Sequence, residues 1–279
     1  MTETTGFRWF RRLTLGFLAA FTLLPLYVLA TTSVKPLEDV RGMFTWLPER
    51  VTFAPYVDMW STIPLARYLA NSLVVTVSAT ALALVVAILA AYPLARLRFR
   101  GERVFAMTVL STQMFPGILF LLPLFLLFVR TEDLLGVELT GTYHGLVITY
   151  LTFALPFSIW MLASHFSAIP EGLEEAAMID GTGRLGALVR VVLPVARPGI
   201  IAVGVFAFVT AWGEVLFASV LTDDRTRTLS IGLKLYTSQV DTRWNELLAA
   251  SLTVSLPVLV AFLLVQRHLV SGLSAGAVK

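Results

Sequence analysis

The side chains that perform most enzymatic chemistry are sparse in this chain and stand apart from one another. The chain has three lysines, Lys35, Lys234 and Lys279. None of them follows a glycine, so the phosphate-binding Gly-Lys-Ser/Thr loop of ATP-hydrolysing proteins is missing. The three histidines, His144, His165 and His268, lack the spacing of a zinc site. There is no cysteine to act as nucleophile or thiolate ligand. We therefore expect no catalytic site, no metal and no cofactor in this polypeptide.

A cluster of acidic side chains opens the polar segment Glu171–Pro198. Pro170 suits the first turn of a helix, where its missing N–H is not needed. Glu171, Glu174 and Glu175 would follow at the positive end of that helix, which favours acidic charge. This arrangement predicts a short acidic helix between two apolar stretches.

The same helix carries a shallow apolar face. Leu173, Ala176 and Ala177 recur at helical spacing, and the two alanines would let a partner approach the backbone closely. Gly181 and Gly183 predict a sharp turn or helix end. A second amphipathic helix is indicated by further apolar residues at helical spacing, Leu185, Leu188, Val189 and Val192. From periodicity alone, a helix lying along the membrane interface remains an equal alternative.

The composition indicates a membrane protein. Of the 279 residues, 57% are hydrophobic and 14% charged, and the mean hydropathy is +0.81, whereas soluble domains are roughly 25% charged. The net charge is +3, and the basic residues are distributed between the apolar stretches. This distribution is typical of charges that orient a protein in the membrane and not of a nucleic-acid-binding surface.

Six uncharged or nearly uncharged stretches are each long enough for a membrane span, which needs about 20 residues. They are Leu13–Val34, Tyr68–Ala95, Val104–Val129, Gly145–Ser164, Pro198–Thr222 and Leu247–Gln266. Spans must pair their backbone groups internally, and these stretches lack the alternation of a membrane barrel, so they predict helices. The expected fold is an all-α membrane protein with one transmembrane domain over residues 1–279.

Basic residues predict the orientation. Clusters precede the first stretch and occupy the short second loop, and such clusters mark the cytoplasmic side; they are Arg8, Arg11, Arg12, Arg96, Arg98, Arg100 and Arg103. The fifth loop, with Arg225, Arg227, Lys234 and Arg243, opposes the rule, although acidic residues accompany these bases. We expect both ends and the segment 165–197 in the cytoplasm.

The polar segment resembles the EAA loop of binding-protein-dependent ABC importer permeases. The matching positions are Glu175-Ala176-Ala177, Gly181, Val191 and Leu193-Pro194, and Val191 stands where the family usually has isoleucine. Further segments resemble the carbohydrate-uptake branch of MalG-type permeases. They are Asn71–Leu73, Gln113–Pro116, Trp212–Glu214, Thr228–Leu233 and Gln266–Gly276.

The resemblance implies the fold of a type I importer permease and a mechanism of alternating access. The coupling residues would be Glu174, Glu175, Ala176, Ala177, Asp180, Gly181, Leu193 and Pro194. They would seat on a separate ATPase subunit, present in two copies, which binds ATP and Mg²⁺. A second permease subunit would pair with this chain as a heterodimer, with a homodimer as the alternative. An extracytoplasmic solute-binding protein would complete a saccharide importer in the inner membrane of a prokaryote.

Six residues are candidates for the transport path: Asn71, Gln113, Met114, Tyr150, Trp212 and Glu214. Glu214 is the one carboxylate within an apolar stretch, and such groups indicate function by default. It has the alternative of reaching water or pairing with an outer-loop arginine. Gln113 precedes Pro116, a predicted helix irregularity of the kind that lines cavities, although an interhelical hydrogen bond is equally open to it. Asn71 has the alternative of capping the second span, and Trp212 that of an interface anchor.

Two outer segments are candidates for contact with the binding protein. The resemblance points to Thr228, Leu229, Ser230, Ile231, Gly232 and Leu233, with an ordinary surface loop as the alternative. The aromatic and proline-rich segment Met43–Trp60 predicts a structured external cap.

Three other functions compete. Uptake of a sugar phosphate, glycerol phosphate or other small polar nutrient stays within the importer class. An ion-coupled secondary transporter would need several ionisable residues in mid-span, where only Glu214 stands. A scaffold without transport activity would leave the acidic loop without a purpose.

Overall fold

Helices account for the regular structure of this chain. The computed structural model describes residues 4–97, 99–237 and 241–275, with side chains as far as Gln266. Arg98 and Gly276, used above for orientation and branch, lie outside these ranges. Within them the one β-type pairing is an isolated bridge between Thr237 and Thr242. The all-α expectation is confirmed.

The helices are numbered in chain order. The first half contains α1 (Thr5–Ser33), α2 (Leu37–Arg41), α3 (Ala54–Thr62), α4 (Leu65–Arg96), α5 (Glu102–Ser111) and α6 (Leu121–Leu135). The second half contains α7 (Tyr143–Ser167), α8 (Glu171–Ile179), α9 (Arg184–Ala187), α10 (Leu193–Val195), α11 (Arg197–Trp212), α12 (Ala218–Leu221), α13 (Leu229–Gly232) and α14 (Trp244–Ala275).

Four helices in the described part of the chain are long and apolar enough to cross a membrane by themselves: α1, α4, α7 and α14. Two further candidates are bent pairs of helices, Glu102–Met114 with Gly117–Leu135 and Arg184–Val195 with Arg197–Trp212. The predicted number of six is reached when each bent pair counts as one span, so the number and the orientation of the spans stay predictions.

The third predicted span breaks where its proline predicts an irregularity. After α5 the chain forms the short 3-10 turn Thr112–Met114, and Phe115 then adopts an extended conformation. The residue before a proline is restricted to such conformations, and Pro116 has no N–H to continue a helix. The two halves consequently meet at 97°.

The fifth predicted span, Pro198–Thr222, is wrong as a continuous helix. α11 ends at Trp212, and the chain turns through Gly213 before α12 begins at Ala218. The break forms because the Glu214 carboxylate accepts the backbone N–H groups of Phe217 and Ala218, at 2.7 and 2.9 Å. These bonds start a new helix and end the old one.

The chain divides into two units. One holds the amino-terminal part through Ala66 together with Gly232–Leu256, and the other holds Arg67–Ile231 with the chain from Pro257 onward. In the second unit, α7 packs against α11, and two apolar cores lie along these helices. One core surrounds Leu146 and Phe217, and the other surrounds Leu162 and Val192. The single-domain expectation stays a prediction.

Candidate coupling site and transport path

The helix α8 forms the first part of the predicted coupling loop. It begins at Glu171, directly after Pro170, which precedes the first turn and does not lie in it as predicted. It ends in a tight turn: Gly181 has φ +91°, and the N–H of Thr182 donates to the carbonyl of Ala177 at 3.1 Å. The predicted glycine turn is confirmed at Gly181, because only glycine adopts this left-handed conformation without strain. Gly183 has φ −73° and needs no such freedom.

One face of α8 is free of contacts with the rest of the chain. Glu175, Ala176 and Asp180 are exposed, and Ala177 is half-buried. Leu173 and Ile179 are apolar residues of this surface, and Ile179 is 86% exposed. Sequence reasoning missed Ile179, although its position three residues after Ala176 placed it next to the shallow face.

Glu174 faces the other way. Its carboxylate is buried and accepts hydrogen bonds from the Tyr92 hydroxyl and, at 2.9 Å, from Arg96 Nε. Arg96 also donates through Nη2 to the carbonyl of Ile169 at 2.9 Å. Glu174 was predicted to face a partner subunit; it binds the protein's own second span, where the apposed arginine offsets the cost of burying its charge. Tyr92 was missed, and Arg96 was interpreted only as an orientation charge.

The segment after the glycine turn is not a single amphipathic helix. α9 passes into a π-helical turn, Leu188–Val192, before α10. Leu188 and Val192 are buried, whereas Leu185 and Val189 are exposed. The wider π turn rotates the apolar face, so the four predicted residues divide between two sides. Leu193 is half-buried and Pro194 is exposed.

Asn71 joins three parts of the chain through hydrogen bonds. It lies inside α4 and not at its cap, since that helix begins at Leu65. Its Nδ2 donates to the carbonyls of Arg225 and Arg227, each at 2.8 Å, and its Oδ1 accepts the Tyr143 hydroxyl at 2.7 Å. These bonds use both N–H groups of the amide and one acceptor position of its oxygen, and the capping alternative is wrong.

Gln113 and Met114 lie at the break of the third span. Gln113 Nε2 donates to the carbonyl of Phe153 at 3.1 Å, which is the interhelical bond weighed above. Met114 is 82% exposed. Both side chains therefore remain available to line a path or to meet a partner.

Tyr150, Trp212 and Glu214 lie near one end of the apolar core around Phe217. The Tyr150 hydroxyl is buried without a hydrogen bond of normal geometry, although it interacts electrostatically with Glu214. Glu214 caps α12 as described above, a role that differs from the predicted contacts with solute, water or an outer-loop arginine. Trp212 stacks on Phe208 with ring centroids 5.7 Å apart, and its carbonyl accepts from Ser230.

The segment Thr228–Leu233 faces inward over most of its length. Thr228, Leu229 and Gly232 are buried, and the N–H of Leu229 donates to Ser72 Oγ at 2.8 Å. Ser230, Ile231 and Leu233 are half-buried. The predicted binding-protein contact is therefore limited to partly exposed side chains, because the chain's own second span occupies the apolar side of this segment.

The segment Met43–Trp60 is structured, as predicted. The Tyr27 hydroxyl donates to the carbonyl of Trp46 at 2.9 Å, and the buried Lys35 ammonium donates to the carbonyl of Thr45 at 2.6 Å. Arg50, within this segment, forms an ion pair with Asp39, which precedes it. The guanidinium of Arg50 lowers the pKa of the Asp39 carboxyl. Several large apolar side chains of this segment are exposed.

Among the residues that the structure describes, no group of histidine, aspartate and glutamate could hold a metal ion. The described residues form a buried charged contact, an exposed helix face and broken helices within the predicted spans.

Comparison with known proteins agrees with this arrangement. Residues 83–274 match the family model described as "Binding-protein-dependent transport system inner membrane component". The chain is 36% identical to the sulfoquinovosyl glycerol transport system permease protein SmoH of Agrobacterium fabrum, over 95% of this chain and 93% of that protein. It is 34% identical to the diacetylchitobiose uptake system permease protein DasC of Streptomyces coelicolor, over 91% of each.

A solved structure shares the fold. A chain of a bacterial ABC transporter involved in the import of the acidic polysaccharide alginate superposes with a TM-score of 0.79, at 22% identity, over 96% of this chain and 99% of that one. The type I permease fold and a multi-pass position in the membrane follow. The chain belongs to the family of inner membrane components of binding-protein-dependent transport systems.

Proposed function

We propose that this protein is the permease subunit of an ATP-driven saccharide importer, with disaccharides or short oligosaccharides as its solutes. The single observation that carries the coupling role is the exposed face of α8, which stands between the fourth and fifth predicted spans. Glu175, Ala176 and Ile179 form a surface with little side-chain bulk and one carboxylate. Such a surface suits a groove on a soluble subunit.

The ATPase is a separate subunit, in two copies, that binds ATP and Mg²⁺. The absence of a Gly-Lys-Ser/Thr sequence supports this assignment. A cavity of about 150 Å³ lies between α8 and the end of α4, with Glu171 and Glu175 on one side and Tyr92 and Arg96 on the other, and would receive a side chain of that subunit. Asp180, Gly181, Leu193 and Pro194 shape the rest of the docking surface.

Two further partners complete the transporter. A second permease subunit forms the other half of the translocation path, as a heterodimer. An extracytoplasmic binding protein delivers the solute. Ile231 and Leu233 are partly exposed, and several side chains of the Met43–Trp60 segment are exposed, so each is a candidate for its contact. Gln113, Met114, Trp212 and Glu214 line the path or lie beside it.

The saccharide class rests on the relatives. The two relatives above are named as permeases for sulfoquinovosyl glycerol and for diacetylchitobiose, which are both glycosides. Because one of them is also a sulfonated glycerol glycoside, a sugar phosphate or glycerol phosphate is the second candidate. A thermal-shift screen of the cognate binding protein against neutral disaccharides, sugar phosphates and glycerol phosphate separates the two.

The coupling role is tested in proteoliposomes that contain the complete transporter. Glu175→Lys places a cation at the exposed face, and we expect it to weaken ATPase binding about tenfold or more and to abolish uptake. Glu138→Lys is the matched control, since Glu138 is an exposed carboxylate between α6 and α7. Binding-protein-stimulated ATP hydrolysis that is unchanged in Glu175→Lys contradicts the proposal. Uptake driven by an ion gradient without ATP would instead identify a secondary transporter.

A further inference from the structure

The buried contact between α8 and α4 is more specific than packing requires. The Arg96 and Glu174 side chains are 6% and 8% exposed. Each carboxylate oxygen of Glu174 has its own donor, Tyr92 on Oε1 and Arg96 on Oε2. The guanidinium of Arg96 uses a second nitrogen on the carbonyl of Ile169, in the link between α7 and α8. We call Tyr92, Arg96 and Glu174 the clamp.

Stability alone does not account for the clamp. A buried ion pair gains little over an apolar pair of similar size, because both charges lose their hydration. Charged hydrogen bonds are directional, however, and they fix the relative position of the elements that they join. The clamp therefore fixes the position of α8 relative to the end of α4.

Three connections join α8 to the predicted spans: the clamp to α4, the short link 168–170 to α7, and the chain toward α11. The clamp and the route to α11 differ in stiffness. α4 is a helix of 32 residues that runs unbroken through Pro93 and ends at Arg96, so a displacement of its end is passed along the span. The route along the chain to α11 passes through the Gly181 turn, the π turn Leu188–Val192 and a bend of 79°. Each of these features interrupts the regular helix, and such interruptions are positions where a hinge can lie.

We propose that the clamp stays closed throughout the transport cycle and carries the movement of α8 into α4, which makes Arg96 and Glu174 positioning residues for coupling. This inference rests on the proposed function, and it goes further by naming the span that receives the movement. Opening of the clamp would let α8 follow the ATPase while α4 stays behind, so that ATP is hydrolysed without transport.

The test compares the number of ATP molecules hydrolysed per solute taken up. Arg96→Met leaves Glu174 buried without its partner and is expected to fold poorly. The double variant R96M/E174M removes both charges, and we expect it to assemble normally but to raise this ratio about tenfold. Arg100→Met is the matched control, since Arg100 is exposed in the same loop. A ratio unchanged in an assembled R96M/E174M complex overturns the inference.

A cross-link tests whether the clamp remains closed. The chain has no cysteine, so R96C/E174C in an otherwise cysteine-free complex accepts a short bifunctional thiosulfonate reagent at these two positions. Without the reagent we expect the same uncoupling as in R96M/E174M. With the reagent we expect the coupling ratio to return toward that of the unmodified protein, and a reductant to reverse the effect. Cross-linking that abolishes uptake would mean that the clamp must open, which overturns the inference.

The failure of the proposed function has a separate signature. If the unmodified complex shows no ATP-dependent uptake of any saccharide or sugar phosphate, the function is wrong and the clamp variants carry no information on coupling. If the unmodified complex transports and R96M/E174M transports with the same ratio, only the clamp inference fails.

Discussion

Gly199 in α11 lies against the imidazole of His165 in α7. A Cβ atom at Gly199 would come within 2.6 Å of His165 Cγ, closer than any ordinary contact. The missing side chain is therefore what allows the backbone of α11 to approach α7 at this point. Small residues serve the same purpose where membrane helices pack closely.

Gly199→Ala is expected to destabilise the protein by about 1–3 kcal/mol, the usual effect of overpacking. The measurement is the thermal midpoint of the purified protein in detergent. His165→Ala in the same chain should restore most of the loss, because it removes the ring that the new methyl group meets. Gly16→Ala is the control, since nothing lies within 4 Å of its Cβ position. An equal loss in both glycine variants would contradict the packing argument.

Glu214→Gln distinguishes a capping residue from a substrate ligand. Each oxygen of the Glu214 carboxylate accepts one N–H group, that of Phe217 or that of Ala218. Glutamine keeps one of these acceptors and places an NH₂ donor against the other N–H group. We expect a stability loss of about 1–3 kcal/mol from the unsatisfied N–H, and an unchanged apparent KM for uptake. Glu138→Gln serves as the exposed control. A raised KM with an unchanged thermal midpoint would instead show that Glu214 binds the solute.

Gly181 and Gly183 form a matched pair in the coupling loop. Gly181→Ala forces a side chain into a left-handed conformation and is expected to destabilise the turn by about 1 kcal/mol or more. Gly183→Ala should have little effect on the turn, because its φ of −73° is ordinary and its Cβ position is open. We expect binding-protein-stimulated ATP hydrolysis to fall in the first variant only. Equal activities would mean that the position of α8 does not depend on the Gly181 turn.

The loop after α12 should lose structure in acid. The backbone N–H and hydroxyl of Thr226 donate to Asp223 Oδ1, each at 2.8 Å, and lower the pKa of the Asp223 carboxyl. Because the pKa of Asp223 is lower in the folded loop, its ionised carboxylate stabilises the loop at pH values above the ordinary carboxyl pKa of about 3.9. This stabilisation is lost as the pH falls from that value through the lower pKa of the folded loop. Hydrogen exchange of residues 222–229 measured across this range is the test. Asp223→Asn should remove the pH dependence, and a dependence that persists would assign it to another group.

Much of the fold is predictable because its causes are local. A stretch of about 20 apolar residues has to be helical in a bilayer whatever surrounds it. The break at Pro116 and the turn at Gly181 follow from the backbone chemistry of single residues. The break after Trp212 was missed, because a carboxylate that caps a helix and a carboxylate that waits for a ligand look the same in a sequence.

The sequence by itself determined the membrane class, the four long apolar helices and the presence of a short acidic helix, since hydrophobicity, proline and glycine act through their immediate neighbours. Only the tertiary structure decided which carboxylate of that helix is available to a partner. Glu174 and Glu175 are adjacent, and one step along a helix turns a side chain by about 100°. Glu174 is buried because Tyr92 and Arg96 meet it across a contact between distant parts of the chain, and Glu175 is left exposed.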